Sequence, residues 1–361
     1  MSRRNERRMD AMDETLPVIG ISMGDPAGIG PEIAAKALAL RSVYDYCRPL
    51  VVGDGAAMEQ GARIAGAKLK VRRIQEVSQA RFEYGTMDVI DLGNVDMAEL
   101  RHGRVSAMAG NAAFQAVKKV IELALADEID ATVTGPINKE SMNKAGHHFT
   151  GHTEIYAHFT HTRDYTMMLA EGSLRVVHVT THCSLRQACD LVKKDRVLAV
   201  IKLAHQGMKS FGIEKPRIGV AGLNPHAGDG GLFGWEEERE IRPAVEEAMG
   251  MGIDADGPVP ADTLFSKARG GWYDIVVAMY HDQGHIPLKV VGFTWNEKEK
   301  KWNSVSGINV TLGLPIIRAS VDHGTAFGKA GKGTANPESL IIALEYAARF
   351  ARERIAERAK K

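Results

Sequence analysis

His281, Asp282, Gln283, His285 and Lys289 stand close together in the stretch Tyr280-His281-Asp282-Gln283-Gly284-His285-Ile286-Pro287-Leu288-Lys289. They follow an apolar run, Tyr273–Tyr280, that reads as a buried strand. Strand ends are rigid, and in an open α/β sheet their carboxyl edge is where ligands bind. Pro287 lacks the N–H that continues a helix, so this segment is predicted to be a loop. Two more histidines follow apolar runs: His182 comes after Val176–Thr180, and His226 after Arg217–Leu223. Three imidazoles at converging strand ends, with coordination positions left open, would suit a catalytic divalent metal. Spacing alone equally allows three unrelated polar loop residues.

Other motifs are weaker. Gly24-Asp25-Pro26-Ala27-Gly28-Ile29-Gly30-Pro31-Glu32 joins a strand to a helix, and its free N–H groups could meet an anion. Its spacing is not the dinucleotide fingerprint, and a plain strand-to-helix turn accounts for it as well. Phe327–Thr334 has lysine and hydroxyl at the wrong offsets for a phosphate loop. The histidines from His147 to His161 lack a local zinc motif and read as packing or surface groups. His152 is the exception, because Gly151-His152-Thr153-Glu154 puts an imidazole and a hydroxyl at a helix start.

The elements that must position these groups alternate along the chain. Strands are expected at Val18–Met23, Leu50–Val52, Asp88–Asp91, Ala131–Thr134, Val176–Thr180, Arg217–Leu223 and Tyr273–Tyr280. Helices are expected at Pro31–Leu40, Ala112–Leu125, Asp195–Phe211, Glu236–Met249 and Ser339–Ala351. That order argues an α/β fold with a mostly parallel sheet. A chain of 361 residues implies two domains or one interleaved pair. A formal net charge of +1 gives no electrostatic case for nucleic acid or an acidic membrane. Three sparse cysteines fit a reducing cytoplasm. No apolar span approaches the ~18 residues of a membrane helix. Residues 1–16 read as a disordered extension, and Phe293–Ser306, with two tryptophans among mixed charges, as an exposed hairpin or lid.

Taken in order, Gly24–Glu32, Gly135–Lys139, Gly151–Glu154, His178–His182, Asn224–Gly228, Ala261–Phe265, Tyr280–Lys289, Gly307–Arg318 and Val321–Ala326 resemble the 4-hydroxythreonine-4-phosphate dehydrogenase family. The likeness runs from Pro17 to about Ala348. Val321–Ala326, with Ala330–Gly333 and Ala335–Pro337, is also similar to the cofactor loop of isopropylmalate dehydrogenases, which places the family among metal-dependent oxidative decarboxylases. The resemblance implies two interleaved α/β domains, 17–147 with 315–361 and 148–314, and an active-site cleft between them. It implies a homodimer sharing its metal site between subunits, with NAD and a divalent metal (zinc, magnesium, manganese or cobalt) as cofactors. His182, His226 and His281 would ligate the metal. His152, Thr153, Lys289, Asn309 and Arg318 would hold a phosphorylated hydroxy acid. Asp262 and Lys289 would be catalytic, and His323, Gly324, Thr325, Ala326 and Asn336 would line the NAD site. The absence of lysine and arginine from Gly324–Phe327 favours NAD over NADP.

His285-Ile286-Pro287-Leu288 departs from the vitamin B6 enzymes and resembles a branch acting on D-threonate or D-erythronate 4-phosphate. His285 would there pair with a substrate hydroxyl, and an ammonium would be accepted only if the imidazole stays neutral. The reaction implied is oxidation of a 3-hydroxy acid and decarboxylation to dihydroxyacetone phosphate and CO2. The alternatives are 4-hydroxythreonine-4-phosphate oxidation in pyridoxal phosphate biosynthesis, an aromatic cis-dihydrodiol dehydrogenase, a phosphotransacetylase-like acyltransferase, and a catalytically dead metabolite-binding protein.

Overall fold

Runs such as Val18–Ser22 and Ala131–Thr134 are buried along their whole length, as expected of parallel strands covered on both faces. The computed structural model describes residues 16–297, 301–305 and 307–360; most of the extension expected over residues 1–16 lies outside them. The chain divides into two α/β units, residues 1–161 with 315–361 and residues 162–314. It leaves the first unit, builds the second, and returns.

The first unit opens with β1 (Val18–Ser22), α1 (Gly30–Leu38), α2 (Arg41–Tyr44), β2 (Arg48–Gly53), α3 (Gly55–Ile64), β3 (Lys70–Ile74) and β4 (Thr86–Asp91). α4 (Ala107–Leu125), β5 (Ala131–Thr134), α5 (Lys139–Lys144) and α6 (His152–Phe159) follow. The second unit runs through β6 (Thr166–Glu171), β7 (Leu174–His178), α7 (Leu185–Leu191), α8 (Lys194–Ser210), β8 (Ile218–Ala221), α9 (Arg242–Gly250), β9 (Ala255–Val259), α10 (Ala261–Arg269), β10 (Ile275–Ala278), α11 (His281–Gly292), β11 (Phe293–Asn296), β12 (Lys301–Val305) and β13 (Ile308–Leu312). β14 (Arg318–Val321) and α12 (Glu338–Ala359) then complete the first unit.

In the first unit the strands lie in the order β3-β4-β2-β1-β5-β14, and every neighbouring pair is parallel. In the second the order is β13-β6-β7-β10-β8-β9. There β13, β6 and β7 pair antiparallel, and β7, β10, β8 and β9 pair parallel. The fold is therefore α/β with mostly parallel sheets. α6, expected in the second domain, packs in the first unit, where the Tyr156 hydroxyl bonds the Thr132 hydroxyl at 2.9 Å. The stretch expected as a hairpin or lid forms a two-stranded antiparallel ribbon of β11 and β12.

The loop expected at His281–Lys289 is instead the helix α11, with Pro287 inside it. Proline removes one intrahelical bond, the one its N–H would give the Gln283 carbonyl. Tertiary packing outweighs that loss: Gly284, His285 and Leu288 are buried on one side of the helix. The Gln283 side chain ties its start, accepting from the Met279 N–H at 2.7 Å and donating to the Gly222 carbonyl at 2.8 Å.

Candidate active site

β7 and β10 are parallel neighbours, with Ala278 opposite His178. The chain leaving each strand therefore carries its histidines to the same edge of the second unit. His178 ends β7, His182 follows it, and His281 begins α11. The His182 and His281 ring centres are 5.9 Å apart. Both residues line a cavity of about 550 Å³ with Thr181, Cys183, Tyr280 and Asp282.

Helical spacing sets His285 one turn beyond His281, and the two rings stack at 3.6 Å with 11° between their planes. His285 Nδ1 lies 2.9 Å from the His281 carbonyl, which can only accept, so Nδ1 carries the hydrogen. Burial lowers the His285 pKa to about 4, helped by the Lys289 charge, so the ring is neutral at pH 7. His178 is also buried, which lowers its pKa to about 3. Gly284 passes so close to its ring that a Cβ there would lie 2.3 Å from His178 Nε2.

These positions bear on a metal. A ligating imidazole sits with its nitrogen about 2.1 Å from the ion, which puts two ligating ring centres roughly 5–6 Å apart. The His182–His281 spacing fits. His281 Nδ1 is 2.7 Å from Asp282 Oδ1. With the carboxylate accepting, the Nε2 lone pair is left for an ion, the carboxylate–histidine arrangement common at metal centres. The third expected ligand is not gathered with them. His226 lies in the loop after β8, at φ 53°, with its ring 6.1 Å from Phe233. Among the described residues no group of three His, Cys, Asp or Glu side chains is placed to hold an ion.

The loop bearing His226 is shaped by a residue that the sequence reading passed over. Glu237 is fully buried, and its Oε1 accepts from the Leu223 and Asn224 N–H groups, both at 2.7 Å. Within Glu236-Glu237-Glu238 it reads as one of three solvated acids; only the fold marks it out. α10 packs against this loop and carries Asp262, exposed, in its first turn. Lys289 is exposed in the last turns of α11, and Asn309 is half-buried in β13.

The first unit gathers a second set of groups. Arg318 begins β14, is 2 % exposed, and lies beneath α6 with its guanidinium 5.7 Å from the Tyr156 ring centre. It donates to Thr153 Oγ1 at 3.4 Å and Thr134 Oγ1 at 3.3 Å. Burial pushes its pKa down to about 10, so it keeps its charge at pH 7. His152 starts α6, and its Nε2 is buried without a hydrogen-bond partner. Burial, with the Arg318 charge beside it, drives its pKa well below the usual value. A buried cation thus sits among two hydroxyls beside a neutral imidazole, and the cation is the group that could attract an anion. Thr134 and Tyr156 were not foreseen, because their part depends on packing between distant segments.

The expected cofactor residues follow β14. His323 Nδ1 is 3.0 Å from the Gly324 carbonyl, Thr325 is buried, and Ala326 has a φ of 44°. Asn336 Oδ1 accepts from the Glu338 N–H at 3.0 Å, so it also caps the start of α12. The Gly24–Glu32 turn is bonded within itself and to the loop after β14: Asp25 Oδ1 accepts from the Ala27 N–H at 2.8 Å, and the Ile29 N–H donates to the Thr325 carbonyl at 3.1 Å. His147 stacks on Phe114 at 3.8 Å and His158 meets Phe159 edge-on, both packing roles.

His285 is 7 % exposed, its Nδ1–H is taken by the His281 carbonyl and its ring stacks on His281, so Nε2 is the atom through which it would meet a substrate. Being neutral, it does not tell a hydroxyl from an ammonium.

A family model described as "Pyridoxal phosphate biosynthetic protein PdxA" matches residues 45–347. The chain is 49% identical over 344 residues, 95% of its own length and 100% of the relative's, to a D-threonate 4-phosphate dehydrogenase of Cupriavidus necator. A solved 4-hydroxythreonine-4-phosphate dehydrogenase from Burkholderia phymatum is 48% identical with a TM-score of 0.81, covering 93% of this chain and 98% of that one. One from Klebsiella pneumoniae is 42% identical with a TM-score of 0.82, again covering 93% and 98%.

Proposed function

The chain belongs to the PdxA family of 4-hydroxythreonine-4-phosphate dehydrogenase relatives, and on that premise we propose that it is an NAD- and divalent-metal-dependent dehydrogenase. Its substrate is a 4-phosphorylated 3-hydroxy acid of the D-threonate or D-erythronate type. The observation that carries this reading is the 49% identity over the whole of a D-threonate 4-phosphate dehydrogenase. The buried Arg318 guanidinium, held by Thr153 and Thr134, supports it, since an anionic substrate needs such a cation.

Removal of hydride from C3 gives the 3-keto acid. Loss of CO2 from C1 and uptake of a proton at C2 then leave dihydroxyacetone phosphate. Residues 323–326 and Asn336 would hold NAD, which would supply the hydride acceptor. A divalent ion would be held by His182 and His281, with His226 coming from a second copy of the chain, and would supply stabilisation of negative charge on substrate oxygens. The chain's own groups do the rest. Arg318 and Lys289 bind anionic groups of the substrate, with Asn309 and Thr153 fixing its orientation. Asp262 or Lys289 accepts the hydroxyl proton. Asp282 holds the His281 tautomer, and His285 holds the ring from behind.

A second reading, 4-hydroxythreonine 4-phosphate as substrate, is favoured by the name of the B. phymatum structure. NAD reduction measured side by side on D-threonate, D-erythronate and 4-hydroxy-L-threonine 4-phosphates decides between them. The expected order of kcat/KM puts the hydroxy acids first; a preference for the amino compound overturns it.

A further inference from the structure

Residues 322–337, between β14 and α12, form no helix or strand beyond turns, yet several points of the first unit hold them. Gly28 lies against Thr325, where a Cβ would come within 2.9 Å of the threonine Cβ. The His102 ring lies under Gly331, 3.0 Å from where a Cβ would be. The strongest tie is ionic. Lys36 on α1 directs its ammonium to Glu32 Oε1 at 2.8 Å, the Gly333 carbonyl at 2.8 Å and the Ala335 carbonyl at 2.7 Å. Glu32 Oε1 also accepts from the Ala335 N–H at 2.8 Å. One ion pair, one turn apart on a single helix, thus grips both the acceptor and the donor of Ala335. The Glu32 carboxylate is 3% exposed and the Lys36 side chain 19%.

We propose that Glu32 and Lys36 are positioning residues for the cofactor: their ion pair holds residues 333–336 in the binding conformation before NAD arrives. This rests on the reading that residues 323–326 and Asn336 line the NAD site. An unstructured loop ordered only on binding loses conformational entropy at that moment and weakens the complex; a loop ordered in advance does not. It also explains the Gly24–Glu32 segment. That turn is the socket for the cofactor loop, and its last residue is one half of the clasp.

The test removes both charges together, because Lys36 alone cannot be deleted without leaving a buried carboxylate unpaired. The double variant Glu32→Gln/Lys36→Met and the single Glu32→Gln are compared with the parent by melting temperature, by calorimetric titration with NAD, and by hydrogen exchange without NAD. The KM values for NAD and for the phosphorylated acid are measured in parallel. The expected result is a Kd for NAD weaker by about tenfold or more, the scale of one lost charge-assisted hydrogen bond. Amides 333–336 should exchange faster in the free protein and recover on adding NAD, while the KM for the acid stays within about twofold. Unchanged NAD binding in the folded double variant overturns the clasp, and so does equal weakening of NAD and acid, the mark of a merely structural staple. His323→Ala, measured alongside, separates the two readings: if it leaves NAD binding untouched, the cofactor-loop assignment fails whatever the clasp variants do.

Discussion

His281 and His285 lie ring on ring at 3.6 Å, one turn apart on α11, and His285 Nδ1 is bonded to the His281 carbonyl. The outer ring can turn only if the inner one moves. Substituting His285 by alanine should therefore weaken divalent-metal affinity by about 10–100-fold, the usual cost of losing a supporting group behind a ligand. His285→Phe, which keeps the stack and loses the hydrogen bond, should fall between. Chelator competition on both variants reads this directly; parental affinity in His285→Ala would count against a supporting role.

Because His226 is not gathered with His182 and His281, two inactive proteins should repair each other. Neither His226→Ala nor His281→Ala should reduce NAD alone. Mixed after reversible dissociation, they should regain about a quarter of parental activity, since half the dimers are mixed and each carries one intact site. Chelation should abolish this activity and added metal restore it. Mixtures that stay inactive while each variant remains folded would mean that the metal is not shared between copies.

Arg318 offers a planar fork between Thr153 and Thr134 that a lysine cannot copy. Arg318→Lys should lower kcat/KM for the phosphorylated acid by about a hundredfold, mostly through KM, given the strength of charge-assisted pairs in a buried site. Tyr156→Leu, which removes the ring facing the guanidinium, should cost less and also act on KM. Steady-state kinetics with NAD saturating separate the two; an unchanged KM in both would remove Arg318 from the substrate site.

Asp25 is fully buried, and burial raises its pKa from 3.8 to about 6 against the opposing pull of the Ala27 N–H and the Ser141 hydroxyl. Between those two values the folded protein holds the proton that the unfolded chain has released. Stability therefore falls as pH rises through the window and stays lower above it, by on the order of 3 kcal/mol. Asp25→Asn keeps the acceptor for Ala27 and removes the charge. Urea unfolding should find it more stable than the parent at pH 8, with the difference shrinking towards pH 4. A variant less stable at pH 8 would mean that the charge is compensated.

The parts of the fold that could be read in advance are those where burial is two-sided. Val18–Ser22 and Ala131–Thr134 show as unbroken apolar runs because both faces are covered. Lys70–Ile74 is an edge strand that puts charged side chains into water, and Ala255–Val259 contains Gly257 and Pro258; neither pattern reads as a strand. α11 was concealed by Pro287, a local signal outweighed by packing, and the His281–His285 stack was concealed with it. Of the candidate site, the pairing of His182 with His281 could be expected from their strand ends. The partners of Arg318 could not, because Thr134, Thr153 and Tyr156 meet it only through the order of β5, β14 and α6.

Gly284 sets the terms on which this helix can be redesigned. With His178 filling the space where its side chain would go, any larger residue there lifts α11 and swings His281 with it. Gly284, His285 and Leu288 are one buried side, fixed by the body of the second unit; Ile286 and Val290 are exposed on either side of Lys289. A library that varies only Ile286 and Val290 can change what the helix presents to an incoming molecule and leave Lys289 and the two facing histidines where they stand. The same helix is thus two surfaces with separate evolutionary freedom, one closed to change and one open to it.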